Sequence, residues 1–305
     1  MDVNKKKKSI VTGGAGFIGS NLVDHLVKIG HKVIVLDNFI SGKRSNLSHH
    51  KKKDVQIIKL DISKGKKLDK YFKGVDYVFH LAGLAEIIPS IKNPRNYFIN
   101  NVLGTLNVIE AAKKVRIKKL IYAASSSCYG TPKNYPTSEN EKIDTKHPYA
   151  LTKFLGEELV MKYASIFNMP NISFRFFNVY GPRLNTSGQY GAVFSNFLTQ
   201  KATKKPLTIV GQGKQTRDFI HVEDLTNAFV KVTKSSLVNK VYNLGSGKET
   251  SINKIASLFG GKKIFIPKRP GDPDRSCANI SKIKKDINWK PTITIEKGIK
   301  RLLKN

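Results

Sequence analysis

A glycine-rich turn near the start of the chain constrains the fold more than any other segment. Gly13, Gly16 and Gly19 have G-x-x-G-x-x-G spacing; the segment follows an apolar stretch at residues 9–12 and opens an amphipathic stretch at residues 17–29. Glycine permits a tight turn and a close approach of the backbone to a ligand, and the next helix offers free N–H groups to a pyrophosphate. This strand, turn and helix predict a dinucleotide-binding βαβ unit rather than an ordinary glycine turn.

The first half of the chain alternates strand-like and helix-like segments, which predicts a parallel sheet with helices on both faces. Apolar runs predict strands at residues 9–12, 32–36, 55–60, 76–81, 120–124 and 172–176. Longer patterns predict helices at residues 17–29, 96–114 and 148–167. The predicted fold class is α/β, a Rossmann-type doubly wound sheet in residues 1–176. Residues 177–305 form mainly a smaller C-terminal lobe, and a segment near 215–245 returns to the sheet.

The second predicted strand is followed by Asp37, whose carboxylate can accept hydrogen bonds from an adenosine ribose. A carboxylate there repels a 2′-phosphate, so NAD is favoured over NADP. Lys43 and Arg44 lie nearby and leave NADP open as an alternative. The remaining predicted cofactor contacts are in the glycine turn, at other strand ends and in a long helix: Phe17, Ile18, Asn38, Asp61, Ile62, Leu81, Ala82, Gly83 and Asn101.

Tyr149 and Lys153 are four residues apart in a predicted helix, which places them on one face about one turn from each other. An unperturbed phenol has a pKa of about 10 and is a poor base at neutral pH. A neighbouring ammonium stabilises the phenolate and is expected to lower that pKa toward the range of a general base. Such a pair is common by itself, but here it follows a dinucleotide-binding pattern and a serine cluster, Ser125, Ser126 and Ser127.

The formal net charge of +32 raises the question of a nucleic-acid partner. Only nine of the 54 basic residues are Arg, the residue that base readout and bidentate phosphate contacts favour, and the lysines are scattered in short groups. We therefore expect no nucleic-acid partner. The two cysteines cannot form a disulfide framework, and no stretch approaches a membrane span. The expectation is a soluble, cytoplasmic protein with no membrane partner.

Seven ordered motifs carry a family resemblance that covers nearly the whole chain. They are at residues 12–19, 80–83, 125–130, 149–153, 175–183, 217–222 and 269–272. With these motifs the chain resembles the extended short-chain dehydrogenases/reductases, and more narrowly the NAD-dependent epimerase/dehydratase family. Within that family it is similar to nucleotide-sugar epimerases of the UDP-glucose and UDP-N-acetylglucosamine 4-epimerase type.

The resemblance implies an NAD-dependent inversion at C4 of a UDP-hexose through a transient 4-keto sugar. Tyr149 would take the proton of the 4-hydroxyl while NAD accepts the hydride. Lys153 would orient the nicotinamide ribose and lower the pKa of Tyr149. Ser125, four residues before Tyr129, would hydrogen-bond the reacting oxygen. The resemblance also implies a homodimer built from the two long helices, and it implies no metal ion at the site.

The serine cluster separates reactions within the family. Dehydratases that resemble this chain carry Thr-Asp-Glu in place of Ser125, Ser126 and Ser127, and decarboxylating relatives carry Glu at the third position. Ser126 and Ser127 cannot perform that carboxyl chemistry and are assigned to substrate binding. The resemblance therefore implies epimerisation rather than dehydration.

The second lobe is expected to bind the nucleotide diphosphate. By resemblance, Arg217 and Arg269 contact the nucleotide and its diphosphate, a task that suits the donor fork of Arg. Asp272 accepts a hydrogen bond from the uridine ribose, and Asn178 contacts the substrate.

Ser276 bears on the choice of sugar. Family members restricted to UDP-glucose and UDP-galactose carry Tyr at the aligned position, whereas those that accept N-acetylated sugars carry a small residue. We therefore expect UDP-N-acetylglucosamine to be accepted along with UDP-glucose. Residues 84–87 lack a Lys that some UDP-galactose epimerases have near the phosphates. UDP-glucuronate 4-epimerase, a dehydratase or reductase of the same family, and a non-catalytic NAD-sensing or nucleic-acid-binding protein remain alternatives.

Overall fold

The structure is a computed structural model that describes residues 6–65, 68–185, 193–267 and 274–304. The chain divides into two compact units, each built from segments that are distant in sequence. The first unit comprises Met1–Gly130, Asp144–Arg175 and Thr226–Tyr242, and the second comprises Thr131–Ile143, Phe176–Leu225 and Asn243–Asn305. The segment Thr131–Ile143 therefore belongs to the second unit, although the sequence-based boundary places it in the first domain.

The strands and helices of the described residues follow in chain order. The strands are β1 (Lys8–Thr12), β2 (Lys32–Asp37), β3 (Val55–Lys59), β4 (Tyr77–His80), β5 (Lys119–Ser125), β6 (Asn171–Phe176), β7 (Asn178–Tyr180), β8 (Leu207–Val210), β9 (Thr216–His221), β10 (Lys240–Leu244), β11 (Glu249–Ser251) and β12 (Lys263–Ile266). The α-helices are α1 (Phe17–Lys28), α2 (Asp69–Phe72), α3 (Ile87–Lys92), α4 (Pro94–Tyr97), α5 (Gly104–Lys113), α6 (Pro148–Phe167), α7 (Val193–Ala202), α8 (Val222–Thr233), α9 (Ile252–Phe259), α10 (Ser281–Ile287) and α11 (Ile295–Leu302).

The central sheet has seven strands in the order β10-β6-β5-β4-β1-β2-β3. Strand β1 pairs in parallel with both β2 and β4, and the β2–β3 and β4–β5 pairs are also parallel. The strand order therefore reverses between β1 and β4, where a doubly wound sheet forms a ligand crevice beyond the carboxyl ends of its strands. This topology confirms the predicted Rossmann-type α/β fold.

Helix α6 has the length predicted from its pattern, residues 148–167. The His147 side chain caps its start by accepting from the Ala150 N–H at 3.2 Å, and Pro148 occupies the first turn, where its missing N–H costs nothing. The helix ends at Phe167, and the next residue, Asn168, has a left-handed φ of 50°.

The predicted helix at residues 96–114 is wrong in one respect, because it is not a continuous α-helix. A π-helical segment, Phe98–Leu103, separates α4 from α5. The wider π turn carries Asn101, whose side chain is buried. A local π segment inside an α-helix is often found at a functional site.

Each unit has its own apolar core. In the first unit, residues from the sheet and from α5 and α6 pack together, among them Tyr122, Val108 and Val160. In the second unit the core is rich in aromatic rings, with Phe194 close to both Tyr180 and Phe259. Among the described residues, no helix combines the length and the hydropathy that crossing a membrane requires.

Candidate active site

The glycine turn lies at the carboxyl end of β1 and leads into α1. Gly13 has a φ of +67°, and a Cβ there would lie only 2.8 Å from the Ala82 backbone. The Gly13 N–H donates to Leu36 O at 2.8 Å, which fixes the turn against the end of β2. Phe17 and Ile18 form the first turn of α1, whose N-terminal N–H groups can receive a pyrophosphate. The backbone can therefore approach a dinucleotide here without steric conflict.

Asp37 is buried at the end of β2, beside the glycine turn. Its carboxylate accepts from the Ala15 N–H at 2.9 Å and from the Phe39 N–H at 2.8 Å, with one bond to each oxygen. Each oxygen keeps a lone pair for a ribose hydroxyl. Asn38 accepts from the Ile40 N–H at 3.2 Å, and the Arg44 guanidinium lies 5.2 Å from the centre of the Phe39 ring.

Two further predicted cofactor residues follow β3. The Asp61 carboxylate accepts from Ser63 N at 3.0 Å and Ser63 Oγ at 2.7 Å, so it caps the short 3-10 turn Ile62–Lys64. Ile62 is buried in the core of the first unit. Contact of these residues with an adenine stays a prediction.

Asn101 fixes the loop that follows β4. Its Oδ1 accepts from the Leu84 N–H at 2.7 Å, while its Nδ2 donates to Leu84 O and to Thr152 Oγ1, both at 3.0 Å. A Cβ on Gly83 would lie 2.9 Å from the same Oδ1. The side chain therefore holds the loop of Leu81, Ala82 and Gly83 against α6, in addition to any contact with a cofactor.

A buried hydrogen-bonded chain that the sequence analysis did not identify leads to Asn101. His80 contacts Thr12 Oγ1 through Nδ1 at 2.7 Å and Thr105 Oγ1 through Nε2 at 2.9 Å. Thr105 donates its own proton to Asn101 O, so Nε2 of His80 carries the hydrogen and Nδ1 accepts from Thr12. Burial lowers the pKa of His80 to about 3, so the ring is neutral. The only sequence signal for a role of His80 was its position in the motif at residues 80–83.

The three predicted catalytic residues lie near the carboxyl end of β5 and the start of α6. Tyr149 is in the first turn of α6, and Lys153 is one turn further on. Ser125 is at the end of β5, where its side chain acts to lower the pKa of Tyr149. Ser125 Oγ accepts from Ser127 N at 3.2 Å and from Ser127 Oγ at 2.8 Å, which leaves its own proton for Tyr149. Ser126 begins the 3-10 turn that follows.

Burial acts on the pKa of both Tyr149 and Lys153. Burial raises the pKa of Tyr149 above its usual value, and the hydrogen bond from Ser125 only partly opposes the rise. Burial also lowers the pKa of Lys153, to about 7, and the charge of Glu157 only partly opposes that fall. Its Nζ lies 4.5 Å from the centre of the Tyr122 ring. The protein alone therefore holds Tyr149 neutral and Lys153 close to its midpoint at neutral pH.

The buried lysine makes folding stability depend on pH. The pKa of Lys153 is about 7 in the folded chain against 10.5 ordinarily, so the unfolded chain binds more protons between these values. This difference in proton binding makes the free energy of unfolding rise with pH across that window. Lys153→Met should stabilise the fold, and the gain should be larger at pH 6 than at pH 9 by about 3 kcal/mol.

Urea unfolding of the unchanged protein and of the Lys153→Met variant, each at pH 6 and pH 9, measures this difference. Lys162→Met removes an exposed lysine from the same helix and should show no such dependence. An equal effect of Lys153→Met at both pH values would contradict the burial argument.

Apart from Ser126 and Ser127, the predicted substrate residues that the structure describes belong to the second unit. Asn178 Nδ2 donates to Asp218 O at 3.2 Å, and Arg217 Nη1 donates to Thr216 O at 2.8 Å. Ser276 is partly exposed. Arg269 and Asp272 lie outside the described residues.

Asp218 organises the second unit around these residues, and the sequence analysis missed it. The carboxylate is buried and accepts from Ser246 Oγ at 2.7 Å, Gly247 N at 2.9 Å and Ala278 N at 3.0 Å. It therefore ties β9, which carries Arg217, to the segment two residues beyond Ser276. Its place beside Arg217 in the motif at residues 217–222 was the available signal.

The fold and the grouping of Ser125, Tyr149 and Lys153 beside a glycine turn define an extended short-chain dehydrogenase/reductase. A family model described as the NAD dependent epimerase/dehydratase family matches residues 9–245, and the chain belongs to this family. The cofactor is NAD, and the glycine turn and Asp37 fit it.

Individual relatives agree with this assignment. The chain is 36% identical over 303 residues to a putative UDP-glucose 4-epimerase of Methanocaldococcus jannaschii, covering 96% of each. It matches the structure of a UDP-N-acetylglucosamine 4-epimerase from Methanobrevibacter ruminantium, in complex with UDP-N-acetylmuramic acid, with a TM-score of 0.92, 34% identity and coverage of 98% and 99%. A UDP-glucuronic acid 4-epimerase from Bacillus cereus, in complex with UDP-glucuronic acid and NAD, matches with a TM-score of 0.89, 32% identity and coverage of 96% of each chain.

Proposed function

We propose that this protein is an NAD-dependent UDP-sugar 4-epimerase that inverts C4 of a UDP-hexose through a transient 4-keto sugar. The observation that carries the proposal is the placement of Tyr149 and the buried Lys153 one turn apart on α6, with Ser125 acting on Tyr149 from the end of β5. The glycine turn and Asp37 are at the carboxyl ends of β1 and β2, on the same edge of the sheet as Ser125 at the end of β5.

Each residue has a separate role in the proposed reaction. Tyr149 accepts the proton of the sugar 4-hydroxyl, and Ser125 holds the same oxygen by a hydrogen bond. Lys153 binds the nicotinamide ribose and, when protonated, favours the phenolate. NAD, when bound, would supply a reversible hydride acceptor for C4, so the reaction would have no net oxidation. Gly13, Gly16 and Asp37 hold the dinucleotide.

The serine cluster supports epimerisation over the other reactions of the family. Ser126 and Ser127 offer hydroxyls where elimination of water or loss of carbon dioxide would use carboxyl groups. Ser127 donates to Ser125 at 2.8 Å, so it reinforces the donor that faces Tyr149. We assign Ser126, Ser127, Asn178, Arg217, Arg269, Asp272 and Ser276 to substrate binding.

One assay tests the proposal and its closest alternative. The purified protein is incubated separately with UDP-glucose, UDP-N-acetylglucosamine and UDP-glucuronate, and the products are separated by chromatography. Formation of the C4 epimer without net NADH production supports the proposal. UDP-glucuronate is included because the structure resembles an epimerase that binds it. An unsaturated, decarboxylated or stable 4-keto product would identify a different reaction.

The choice of sugar is tested at Ser276. Ser276→Tyr should lower kcat/KM for UDP-N-acetylglucosamine by about a hundredfold or more, because a ring fills the space beside C2 that an acetamido group needs. Turnover of UDP-glucose should change little. Steady-state kinetics on both sugars measure the ratio, and Ser281→Tyr, at an exposed serine nearby, is the control. Equal losses on both sugars would contradict a role in selecting the sugar.

We also propose a homodimer. Large apolar side chains are exposed on α3 and the π-helical segment that follows α4: Ile87, Ile91, Phe98, Ile99 and Leu103. Exposed apolar patches of this kind mark interaction surfaces. Sedimentation at the mass of two chains would support the proposal, and sedimentation as a single chain would refute it.

A further inference from the structure

Three metal-ligating side chains converge at a place that the proposed reaction does not use. Asp24 lies on α1, and His49 and His50 follow the 3-10 turn Arg44–Leu47. Nε2 of His49 lies 2.9 Å from Asp24 Oδ1, and Nε2 of His50 lies 2.7 Å from the same oxygen. The three ligand atoms all lie within 4.8 Å of one another.

The arrangement is unusual for a simple surface ion pair. His49 and His50 are neighbours in sequence, yet both rings turn to one side, with their centroids 4.1 Å apart. Both present the same nitrogen, Nε2, to one carboxylate oxygen. Two imidazole nitrogens and one carboxylate oxygen are the ligand set that proteins offer to zinc and its neighbours in the first transition row.

We propose that Asp24, His49 and His50 form a binding site for a divalent transition-metal ion. Metal–nitrogen and metal–oxygen bonds are about 2.0 to 2.2 Å, so two ligands at a right angle are about 3.0 Å apart and two tetrahedral ligands about 3.4 Å. The observed separations of 2.7 and 2.9 Å need to widen by less than about 1 Å to reach either arrangement. Each imidazole offers Nε2 as a ligand when its proton moves to Nδ1.

The exposure of the three groups suits an open site. The His50 side chain is 9% exposed, Asp24 is 32% exposed and His49 is 56% exposed. The side of the site formed by His50 is therefore enclosed by the protein. The side formed by His49 is open to the ion and to the waters that complete its coordination. The carboxylate charge offsets part of the repulsion from Lys51 and the lysines that follow it.

The site joins two segments that also contact the glycine turn. Lys43 N donates to Ala15 O at 3.0 Å, and Asn46 Nδ2 donates to the same oxygen at 2.9 Å. A metal bound to Asp24, His49 and His50 fastens this segment to α1. An ion that binds the folded chain in this way stabilises it by mass action.

Calorimetric titration of the tag-free, full-length chain with ZnCl2 and, separately, NiCl2 tests the site. We expect one equivalent of metal bound by the unchanged protein. The double variant His49→Ala/His50→Ala should lose that equivalent, and Asp24→Asn should weaken it by about tenfold or more. His25→Ala removes a histidine from α1 next to Asp24 and should keep full binding.

A thermal scan provides a second readout that is independent of enzymatic activity. A hundredfold excess of metal over its dissociation constant should raise Tm by about 4 °C, and EDTA should reverse the rise. The double variant should show no rise. Absence of metal binding by the unchanged chain, or equal binding by the chain and the double variant, would overturn the proposal.

Discussion

Tyr149→Phe is expected to lower kcat for epimerisation by about a thousandfold, within the range that general acid–base catalysis contributes. The substitution removes one oxygen atom, the group that takes the sugar proton in the proposed reaction. The ring keeps its neighbours, which include the stacked His147 ring and the roughly perpendicular Tyr97 ring, with centroids 5.8 and 6.5 Å away. The fold and NAD binding should therefore be retained.

The measurement pairs epimerisation kinetics with a titration of NAD binding on the same preparation. Tyr163→Phe is a matched control, since it removes a phenol hydroxyl from the same helix at a distance from Ser125. It should leave kcat within about twofold of the unchanged enzyme. If Tyr149→Phe kept a tenth or more of the activity, another group would have to serve as the base.

Glu157→Gln should produce the largest loss of stability. Glu157 and Arg175 form a buried ion pair in which Nη2 lies 2.6 Å and Nε 3.0 Å from Oε1, and their side chains are only 2% and 7% exposed. Ser173 donates to Oε2 at 2.8 Å, and Arg175 Nη1 donates to Tyr129 at 2.9 Å. Neutralising the acid leaves a buried guanidinium without its counter-charge, which costs about 3 to 5 kcal/mol.

The effect should reach the active site, because Glu157 is one turn beyond Lys153 on α6 and its partner is on β6. Urea denaturation measures the free energy of unfolding, and Glu158→Gln, at the partly exposed neighbouring acid, is the control. The double variant Glu157→Gln/Arg175→Met should recover most of the loss, since it removes the unpaired charge. A loss of stability below about 1 kcal/mol for Glu157→Gln is what a solvent-exposed ion pair would give, and it would contradict the prediction.

Local patterns were sufficient to predict most of the first unit. Apolar runs located the strands from β1 to β6, and the period of α6 gave its length, because both signals depend on residues close in sequence. The π-helical segment that carries Asn101 was not predictable in this way. It differs from an α-helix by one hydrogen-bond step, which leaves the apolar pattern nearly unchanged.

The environment of the candidate site depends on contacts between distant segments. The rise in the Tyr149 pKa comes from burial, and the burial of an individual side chain cannot be read from the sequence. The bonds of Asp218 join residues 28 and 60 positions away, and they could not be inferred from its own strand. Motif resemblance located Tyr149, Lys153 and Ser125 but carried no information on the burial of Tyr149 or on the long-range hydrogen bonds of Asp218.

The order in which the ribosome releases the chain has a consequence for the central sheet. Strand β6 is complete at residue 176, but its outer neighbour β10 begins only at residue 240. Until then β6 is an edge with unpaired backbone groups, which attracts other strands. Lys119 likewise lacks the carbonyl oxygens of Val232 and Ser235 to which its Nζ donates at 2.8 and 2.9 Å. The nascent sheet therefore depends on late-synthesised residues to close its outer edge.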